Sequence, residues 1–428
     1  MKTTIVKIVL LSLCSTASPV VLAAESRGSP DVVIEWNALL QSNMPTSAGV
    51  NTPRYYAMLH IAMFDAANAI DRKYTQYRAR IWFVPRAASA EAAAAQAAHD
   101  VLTALIPTAE PAFTAALDAR LANSAGWSAN VGRAVGRYAA QQILSWREGD
   151  GAIGPGPAYQ PAPLPGLWQP TPPSFGAAQF TQAGDVEPFA LLTATQYLPR
   201  PPPLLNSAEY AANFDEVKLL GSATSTARTA EQTLLARLFA PSGYSTQHWV
   251  IWNTLARDMA VSQRMSLVDT ARLFALLNVS IHDGVQTSHA SKYVYGLWRP
   301  ITAIRRADED ANPSTLADAN WTPLITTPAY PSHASNQTCV GTSAARALER
   351  ALGSDEMSFT ATWTGTGGNA NVVRAYSRFS ALAEDQARSR VYAGIHFTFE
   401  LTASQESCMK VAGYVYSHYM RPRSSPFH

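Results

Sequence analysis

The chain has 428 residues, of which 47% are hydrophobic and 15% charged. This balance excludes wholesale disorder and is sufficient to bury the cores of two or three domains. The formal net charge is only +2, and it vanishes if the first 24 residues, which carry Lys2 and Lys7, are cleaved. A chain without excess positive charge is not expected to bind nucleic acid or an anionic membrane.

The N-terminal stretch MKTTIVKIVLLSLCSTASPVVLAAES is typical of a cleaved secretory signal, with two lysines, an apolar run and small residues at Ala23 and Ala24. Residues 1–24 are therefore predicted to be a signal peptide, and the mature chain is predicted to be exported, either periplasmic or secreted. No later segment is apolar over sufficient length to span a membrane, so no membrane span is expected after signal removal.

Cysteine usage leaves one question open. Cys14 would leave with the signal, so Cys339 and Cys408 remain in the mature chain. Exported proteins experience oxidising compartments, where such a pair can form a disulfide. Two buried free thiols fit the same sequence equally well, because the spacing does not show whether the two residues meet.

Most of the chain shows the helical period of hydrophobic residues rather than the alternation of strands. Helices are predicted over residues 89–106, 109–125, 128–149, 229–240, 248–293 and 334–352. The first two form one helical hairpin, and the region 229–293 is expected to hold three or four helices. No clean run of period-two alternation is found. The sequence therefore predicts an all-α fold.

The sequence between residues 151 and 206 is rich in proline, which excludes helix interiors and central strands. A loop of this length is uncommon inside one compact domain. Tyr159, Trp168, Phe175 and Phe180 favour a segment draped over the surface, because a solvated linker gains nothing from aromatic side chains. The predicted organisation is an N-terminal helical half (25–150), a Pro-rich crossover segment (151–206) and a C-terminal helical half (207–428).

Two segments of the C-terminal half place cations and polar groups at regular positions. KYVYGLWRP (292–300) carries Lys292 and Arg299, seven residues apart, which is close to two helical turns and predicts a shared helix face. YPSHAS (330–335) places Ser332 and His333 at or just before a predicted helix N-terminus, where free backbone N–H groups favour an anion. Taken singly, such features more often mark a solvated face or a helix cap.

A third segment, SRVYAGIHFTFE (389–400), holds Arg390, His396 and Glu400. His396 and Glu400 are four residues apart, so the carboxylate can orient the imidazole on one helix face. The three segments together supply three cations, a hydroxyl and two histidines. A buried tetrahedral oxyanion such as phosphate or vanadate requires a set of this kind, because its charge needs several matched cations and donors.

The ordered set KYVYGLWRP, YPSHAS and SRVYAGIH resembles the three-part signature of the vanadium-dependent haloperoxidase and type 2 phosphatidic-acid phosphatase superfamily. The N-terminal stretches DVVIEWNALL and YAMLHIAMFDAANAI are similar to secreted haloperoxidase-related proteins, so the resemblance covers roughly residues 31–420. It implies a fold of two four-helix bundles. It also implies a vanadate cofactor, or phosphate in its place, with hydrogen peroxide and halide as reactants and a homo-oligomer as one possible assembly.

The resemblance implies a role for each matched residue. Lys292, Arg299 and Arg390 would neutralise the oxyanion, and Ser332 would hydrogen-bond it. His396 would be the axial vanadium ligand or a phosphatase nucleophile. His333 would be the general acid/base. Lys292 would also act with His333 and His396 in catalysis. Glu400 stands in place of the usual aspartate and would orient the ligand histidine.

The segment YPSHAS departs from the family pattern, in which a glycine separates the serine from the histidine. Its absence would remove one backbone donor and redirect His333. Thr327, five residues before Ser332, does not indicate a halide preference. Three functions therefore remain: a haloperoxidase that forms a hypohalous species, a secreted acid phosphatase with a phospho-histidine intermediate, and a non-catalytic anion-binding helical protein.

The other histidines have simpler interpretations. His60 is predicted to pack in the core and His248 to begin a helix. His282 and Asp283 are adjacent, but two neighbouring residues do not make a metal site. His289 lies three residues before Lys292, and a position facing the pocket or on the helix surface is equally consistent with the sequence.

Overall fold

The computed structural model describes residues 31–124, 126–240 and 248–423, so the predicted signal at 1–24 lies outside the described residues. These residues form thirteen α-helices and one two-stranded antiparallel sheet. The helices are α1 (Asp31–Asn43), α2 (Thr52–Asp71), α3 (Ala90–Leu105), α4 (Glu110–Leu121), α5 (Trp127–Arg147), α6 (Ala208–Gly221), α7 (Ala230–Leu238), α8 (His248–Ser262), α9 (Leu267–Tyr295), α10 (Pro300–Arg305), α11 (Asn336–Leu352), α12 (Phe379–Tyr392) and α13 (Thr398–His418). The predicted helical fold is confirmed, with three helices in the region 229–293.

Local sequence signals set several helix ends. Ser89, Ser207 and Ser266 each accept a hydrogen bond from a backbone N–H in the first turn of the next helix, as expected for N-cap residues. Gly296 ends α9 in the left-handed conformation, with a φ of 59°, which glycine adopts without steric cost. The end of α9 at Tyr295 leaves Arg299 outside the helix, so the predicted shared helix face of Lys292 and Arg299 is wrong.

Helix α9 is the central element, since almost its whole length is buried. It packs against α2 on one side and against α11 and α13 on the other. Helices α2, α3 and α5 form the N-terminal group, and α9, α11, α12 and α13 form the C-terminal group. A disulfide between Cys339 and Cys408 joins α11 to α13, and the Cα atoms of the two residues are 5.4 Å apart. The two cysteines that the sequence left as either a disulfide or free thiols are thus paired. No helix in the described part of the chain has the length and apolar character needed to cross a membrane.

Gly132 and Gly136 allow α5 to lie directly against α3. A Cβ atom on Gly136 would come within 2.3 Å of the backbone oxygen of Ala93 and 2.9 Å of the backbone nitrogen of Ala97. We therefore expect Gly136→Ala to lower the free energy of unfolding by about 1–3 kcal/mol, the cost of overpacking a tight core. Urea unfolding measures the change, and an unchanged midpoint would show that the two helices do not pack this closely.

One hairpin departs from the all-helical expectation. Strand β1 (Glu356–Trp363) pairs antiparallel with β2 (Val372–Arg378). In β1 the residues Phe359, Ala361 and Trp363 are buried while their neighbours are exposed, the alternation of a half-buried strand. The prediction that no period-two run exists is wrong here. The alternation runs from Met357 to Trp363 in one short strand, and β2 has no buried residue to extend the pattern.

The Pro-rich segment 151–206 contains no helix and only a single bridge, between Leu167 and Leu297. Trp168 and Phe189 in this segment are buried, although Phe175 is 64% exposed. The segment thus packs onto the helices, as a draped crossover should. The division of the chain into halves at residues 150 and 206 stays a prediction.

A buried carboxylate fastens the crossover segment to α9. Asp283 accepts hydrogen bonds from the backbone N–H groups of Phe189, Ala190 and Leu191, at 2.7 to 3.0 Å. The same carboxylate lies 3.0 Å from Nδ1 of His282. This pair therefore has a structural role, and the described residues contain no group of three or more His, Cys, Asp or Glu side chains that could hold a metal ion.

Candidate active site

The three sequence motifs converge at one place in the C-terminal helical group. Lys292 lies in the last turn of α9, and Arg299 directly precedes α10. Ser332 is in the loop that leads into α11, whose N-cap is Ser335. Other residues of the site come from the ends of two further helices: Arg390 in the last turn of α12, His396 before α13, and Glu400 in its first turn.

Glu400 connects the motifs through both of its carboxylate oxygens. Its Oε1 accepts hydrogen bonds from the Ser332 hydroxyl at 2.7 Å and from the Phe397 backbone N–H at 2.9 Å. Its Oε2 lies 2.9 Å from Nδ1 of His396. The predicted contact between His396 and Glu400 is present, but His396 precedes the helix instead of lying on it.

The second nitrogen of His396 faces a cation. Nε2 of His396 is 3.2 Å from Nη1 of Arg299, whose guanidinium also donates to the carbonyls of Tyr330 and Ile395 at 2.8 and 2.9 Å. Among the described residues, Nη2 of Arg299 has no hydrogen-bond partner, although it is buried. Burial, together with the charges of Arg299, Lys292 and Arg390, holds the pKa of His396 well below its ordinary value. The imidazole is consequently neutral, which a nitrogen ligand must be.

Lys292 is fully buried and donates to backbone carbonyls of the loop before α11. Its Nζ is 2.9 Å from the oxygen of Ser332 and 3.3 Å from that of Pro331, and it also donates to Ala334. Burial and the charge of Arg299 hold the pKa of Lys292 well below its ordinary value. Lys292 thus shapes the loop that carries Ser332, and it does not line the adjacent cavity.

A cavity of about 430 Å³ opens beside the site. Arg390 and His396 line it together with Asn336 and Gln337 from the first turn of α11. Its other walls are largely aromatic or apolar: Phe180, Phe239, Trp249, Tyr330, Ile325 and Ile395, with His248 and His289. Tyr330 begins the YPSHAS motif, and Asn336 and Gln337 directly follow it, but none of the three was predicted from sequence to lie at the site.

Arg390 is the cation with direct access to this cavity. One of its guanidinium nitrogens donates to the carbonyl of Phe239 at 3.1 Å. Burial lowers the pKa of Arg390 to about 10. The charge of Arg299 also lowers this pKa, whereas Tyr330 acts to raise it. An arginine with this pKa keeps its charge at neutral pH, so the cavity presents a fixed positive charge next to His396.

His333 takes a different position from the one its motif implies. Its Nε2 lies 2.8 Å from the backbone carbonyl of Arg200 in the crossover segment. His333 is not among the described residues that line the cavity, whereas His289 and His248 are. Its assignment as the general acid/base stays a prediction.

The charge balance shows that the site fits an oxyanion. Lys292, Arg299 and Arg390 are all buried, and in the described part of the chain none of them forms a salt bridge with a carboxylate. Glu400 is the carboxylate whose charge acts on Lys292 and Arg299. Buried charges without partners are costly. A bound anion would remove that cost, and Nη2 of Arg299 offers an unused donor for it.

We therefore expect orthophosphate to stabilise the protein. An anion that binds only the folded state adds about 2.7 kcal/mol to the free energy of unfolding at one hundred times its dissociation constant. Thermal unfolding in phosphate, with sulfate and chloride at matched ionic strength, measures the effect. Equal shifts in all three salts would mean that no specific anion site exists.

The comparisons with known proteins concern the fold of the chain. Residues 272–425 match a family model described as the VCPO second helical-bundle domain. The chain is similar to the solved structure of a bacterial vanadium-dependent iodoperoxidase, with a TM-score of 0.76 and 21% identity, covering 92% of this chain and 98% of that one. The fold is that of the vanadium haloperoxidases. No curated protein matches the chain by sequence at a significant level.

Two further vanadium haloperoxidase structures support the same conclusion. A holo-type bacterial vanadium-dependent chloroperoxidase has a TM-score of 0.68 and 16% identity, covering 91% of this chain and 92% of that one. An apo-type chloroperoxidase structure has a TM-score of 0.64 and 16% identity, covering 85% and 92%. The predicted resemblance to the vanadium haloperoxidase superfamily is thus confirmed. The matched region 272–425 contains every residue of the predicted oxyanion site.

Proposed function

We propose that this protein is a vanadate-dependent haloperoxidase that oxidises halide with hydrogen peroxide to a hypohalous species. The observation that carries the proposal is His396, a neutral histidine at the cavity wall. Glu400 holds its Nδ1, and its Nε2 lies among buried cations. The similar structures of an iodoperoxidase and chloroperoxidases support the same reaction class.

The residues of the site would divide the work of holding vanadate. His396 would supply the nitrogen ligand, Arg299 and Arg390 would neutralise the oxyanion, and Ser332 would exchange its bond to Glu400 for one to the anion. Lys292 would add a third positive charge and hold the loop that carries Ser332. Vanadate itself, when bound, supplies Lewis-acid chemistry that activates hydrogen peroxide, and the oxidation state of vanadium does not change.

A phosphatase that uses the same residues is the second candidate. The unpaired cations Arg299 and Arg390 suit any tetrahedral oxyanion, and phosphate has the same shape and similar charge as vanadate. In that reaction His396 would attack phosphorus, because Glu400 orients its ring and burial keeps it neutral. The neutral ring also explains why one site can serve either chemistry.

Reconstitution distinguishes the candidates. The mature chain is purified without vanadium, and one half is loaded with orthovanadate. We expect peroxide-dependent halogenation with iodide and bromide only in the loaded half, and its loss when phosphate displaces vanadate. Hydrolysis of a phosphate ester by the unloaded half, without halogenation by the loaded half, would instead establish the phosphatase. Silence in both assays would establish a non-catalytic anion-binding protein.

We also propose that the protein acts outside the cytoplasm. The disulfide between Cys339 and Cys408 supports this location, because such bonds persist mainly in oxidising compartments. Fractionation of cells that express the full chain, followed by N-terminal sequencing, tests the proposal. A periplasmic or secreted protein that begins near residue 25 is expected, whereas an intact N-terminus in the cytoplasm would contradict it.

A further inference from the structure

The histidine of the YPSHAS motif is not among the described residues that line the cavity, although its charge acts on His396 and Glu400. Nε2 of His333 is engaged by the carbonyl of Arg200 at 2.8 Å. Its ring lies between Tyr295 and Phe399, with ring centroids 5.2 and 6.2 Å away. A group that transfers protons must come within hydrogen-bonding reach of the reactant or of one intervening water. His333 faces the crossover segment instead of the cavity that holds His396.

A different histidine lines the cavity together with His396. His289 lies one helical turn before Lys292 on α9 and is 1% exposed. Its Nε2 is 3.3 Å from the side-chain nitrogen of Asn336. Among the described residues, Oδ1 of Asn336 and Nδ1 of His289 are both buried without a partner. Rotation of the amide by 180° places Oδ1 against an Nε2–H of His289, and the lone pair of the neutral ring then lies on Nδ1, where it can accept a proton.

The groups around His289 determine how it responds to a bound anion. Phe180 and Tyr330 meet its ring edge-on, with centroids 6.1 and 5.8 Å away. The charged neighbours are Lys292, from its own helix, and Arg299, from the segment before α10. Burial and these two charges lower the pKa of His289 to about 3. An anion beside the cations offsets their charge, so binding must raise that pKa.

We propose that His289, instead of His333, exchanges protons with the reactants at His396. This inference rests on the proposed function. Halide oxidation follows H₂O₂ + X⁻ + H⁺ → HOX + H₂O, so protons must move between the entering peroxide and the departing water. Nδ1 of His289 accepts one proton from the entering peroxide, and the imidazolium returns it to the oxygen that leaves as water, while the net proton of the equation, which converts XO⁻ to HOX, comes from solvent. His333 does not take this role, because its Nε2 is engaged by the carbonyl of Arg200 and the residue does not line the cavity.

The first test uses the vanadium-free protein and requires no turnover. Nitrogen-15-labelled histidine rings are followed by NMR while inorganic phosphate is added. The His289 resonances, assigned through His289→Gln, are expected to shift, and the pKa of His289 is expected to rise by about one unit or more. The His333 resonances, assigned through His333→Gln, should remain in place. The reverse pattern, or phosphate binding that moves neither ring, would overturn the proposal.

The second test compares His289→Gln with His333→Gln after loading with orthovanadate. His289→Gln is expected to lower kcat by about 10²–10⁴-fold, the usual contribution of a general acid/base, and to alter the pH profile. Phosphate affinity by calorimetry should stay within about threefold, which separates proton transfer from a collapsed site. His333→Gln should keep kcat within about threefold. A larger loss in His333→Gln than in His289→Gln would refute the assignment.

These two tests also separate the inference from the proposed function. If the loaded wild-type protein does not halogenate, the haloperoxidase proposal fails while the NMR titration still decides which histidine faces the anion. If it halogenates and His289→Gln has full activity, the inference alone fails.

Discussion

Replacing His396 by alanine is expected to abolish halogenation, with a loss of at least about 10³-fold in kcat, since the change removes the nitrogen that we propose as the vanadium ligand. The neighbouring cations Arg299 and Arg390 cannot take over, because a cation cannot donate a lone pair to a metal. The measurement is peroxide-dependent oxidation of iodide and bromide after loading with orthovanadate, together with equilibrium binding of vanadate.

Binding and activity should separate in this variant. Arg299 and Arg390 remain in His396→Ala, so vanadate should still bind weakly as a free anion and be displaced readily by phosphate. His418→Ala is the matched control, because that histidine lies on the exposed end of α13 and bonds to Ser417 and Tyr414, away from the site. Full activity in His396→Ala would disprove the assignment of the ligand.

Replacing Glu400 by alanine is expected to lower the free energy of unfolding by about 3–5 kcal/mol, the cost of leaving a buried charge partner unpaired. The carboxylate is fully buried and accepts bonds from Ser332 and Phe397 as well as contacting His396. Its removal leaves the three buried cations of the site without the carboxylate that acts on Lys292 and Arg299. Urea unfolding in phosphate-free buffer measures the loss.

Glu400→Gln separates charge from shape. The glutamine oxygen can keep the bonds from Ser332 and from the backbone of Phe397, while its amide nitrogen would face Nδ1 of His396. We expect a smaller loss of stability than in Glu400→Ala, together with lower halogenation because the ring of His396 is no longer held by a carboxylate. Equal stability of Glu400→Ala and the wild-type protein would show that the cations are not compensated by this residue.

Lys292, Arg299, Arg390 and His396 were predicted from sequence as site residues because the first and third motifs keep the family spacing, and the structure brings them together. The positions of these residues relative to the helix ends were harder to predict from sequence. Lys292 and Arg299 are two turns apart by count, yet Gly296 stops α9 between them, so the shared helix face is wrong. His396 and Glu400 touch as predicted, but across the start of α13, because His396 precedes the first helical turn.

The position of His333 illustrates why side-chain direction is hard to infer. The motif places His333 directly after Ser332, but it does not show the direction of the ring. Which way the ring turns depends on a partner more than one hundred residues away, the carbonyl of Arg200. The direction of the His289 side chain also depends on distant segments, because α9 packs against α11 and the crossover segment around it.

Sequence alone determined the helical class and the crossover segment and predicted the residues of an oxyanion site, because hydrophobic period, proline content and motif spacing are local properties of the chain. Tertiary structure decided which of these groups face the cavity. It made Arg390 and His396 the accessible pair, placed Lys292 on loop carbonyls, and paired Cys339 with Cys408. The physical reason is that burial and hydrogen-bond partners arise from distant segments, and one sequence does not show where those segments meet.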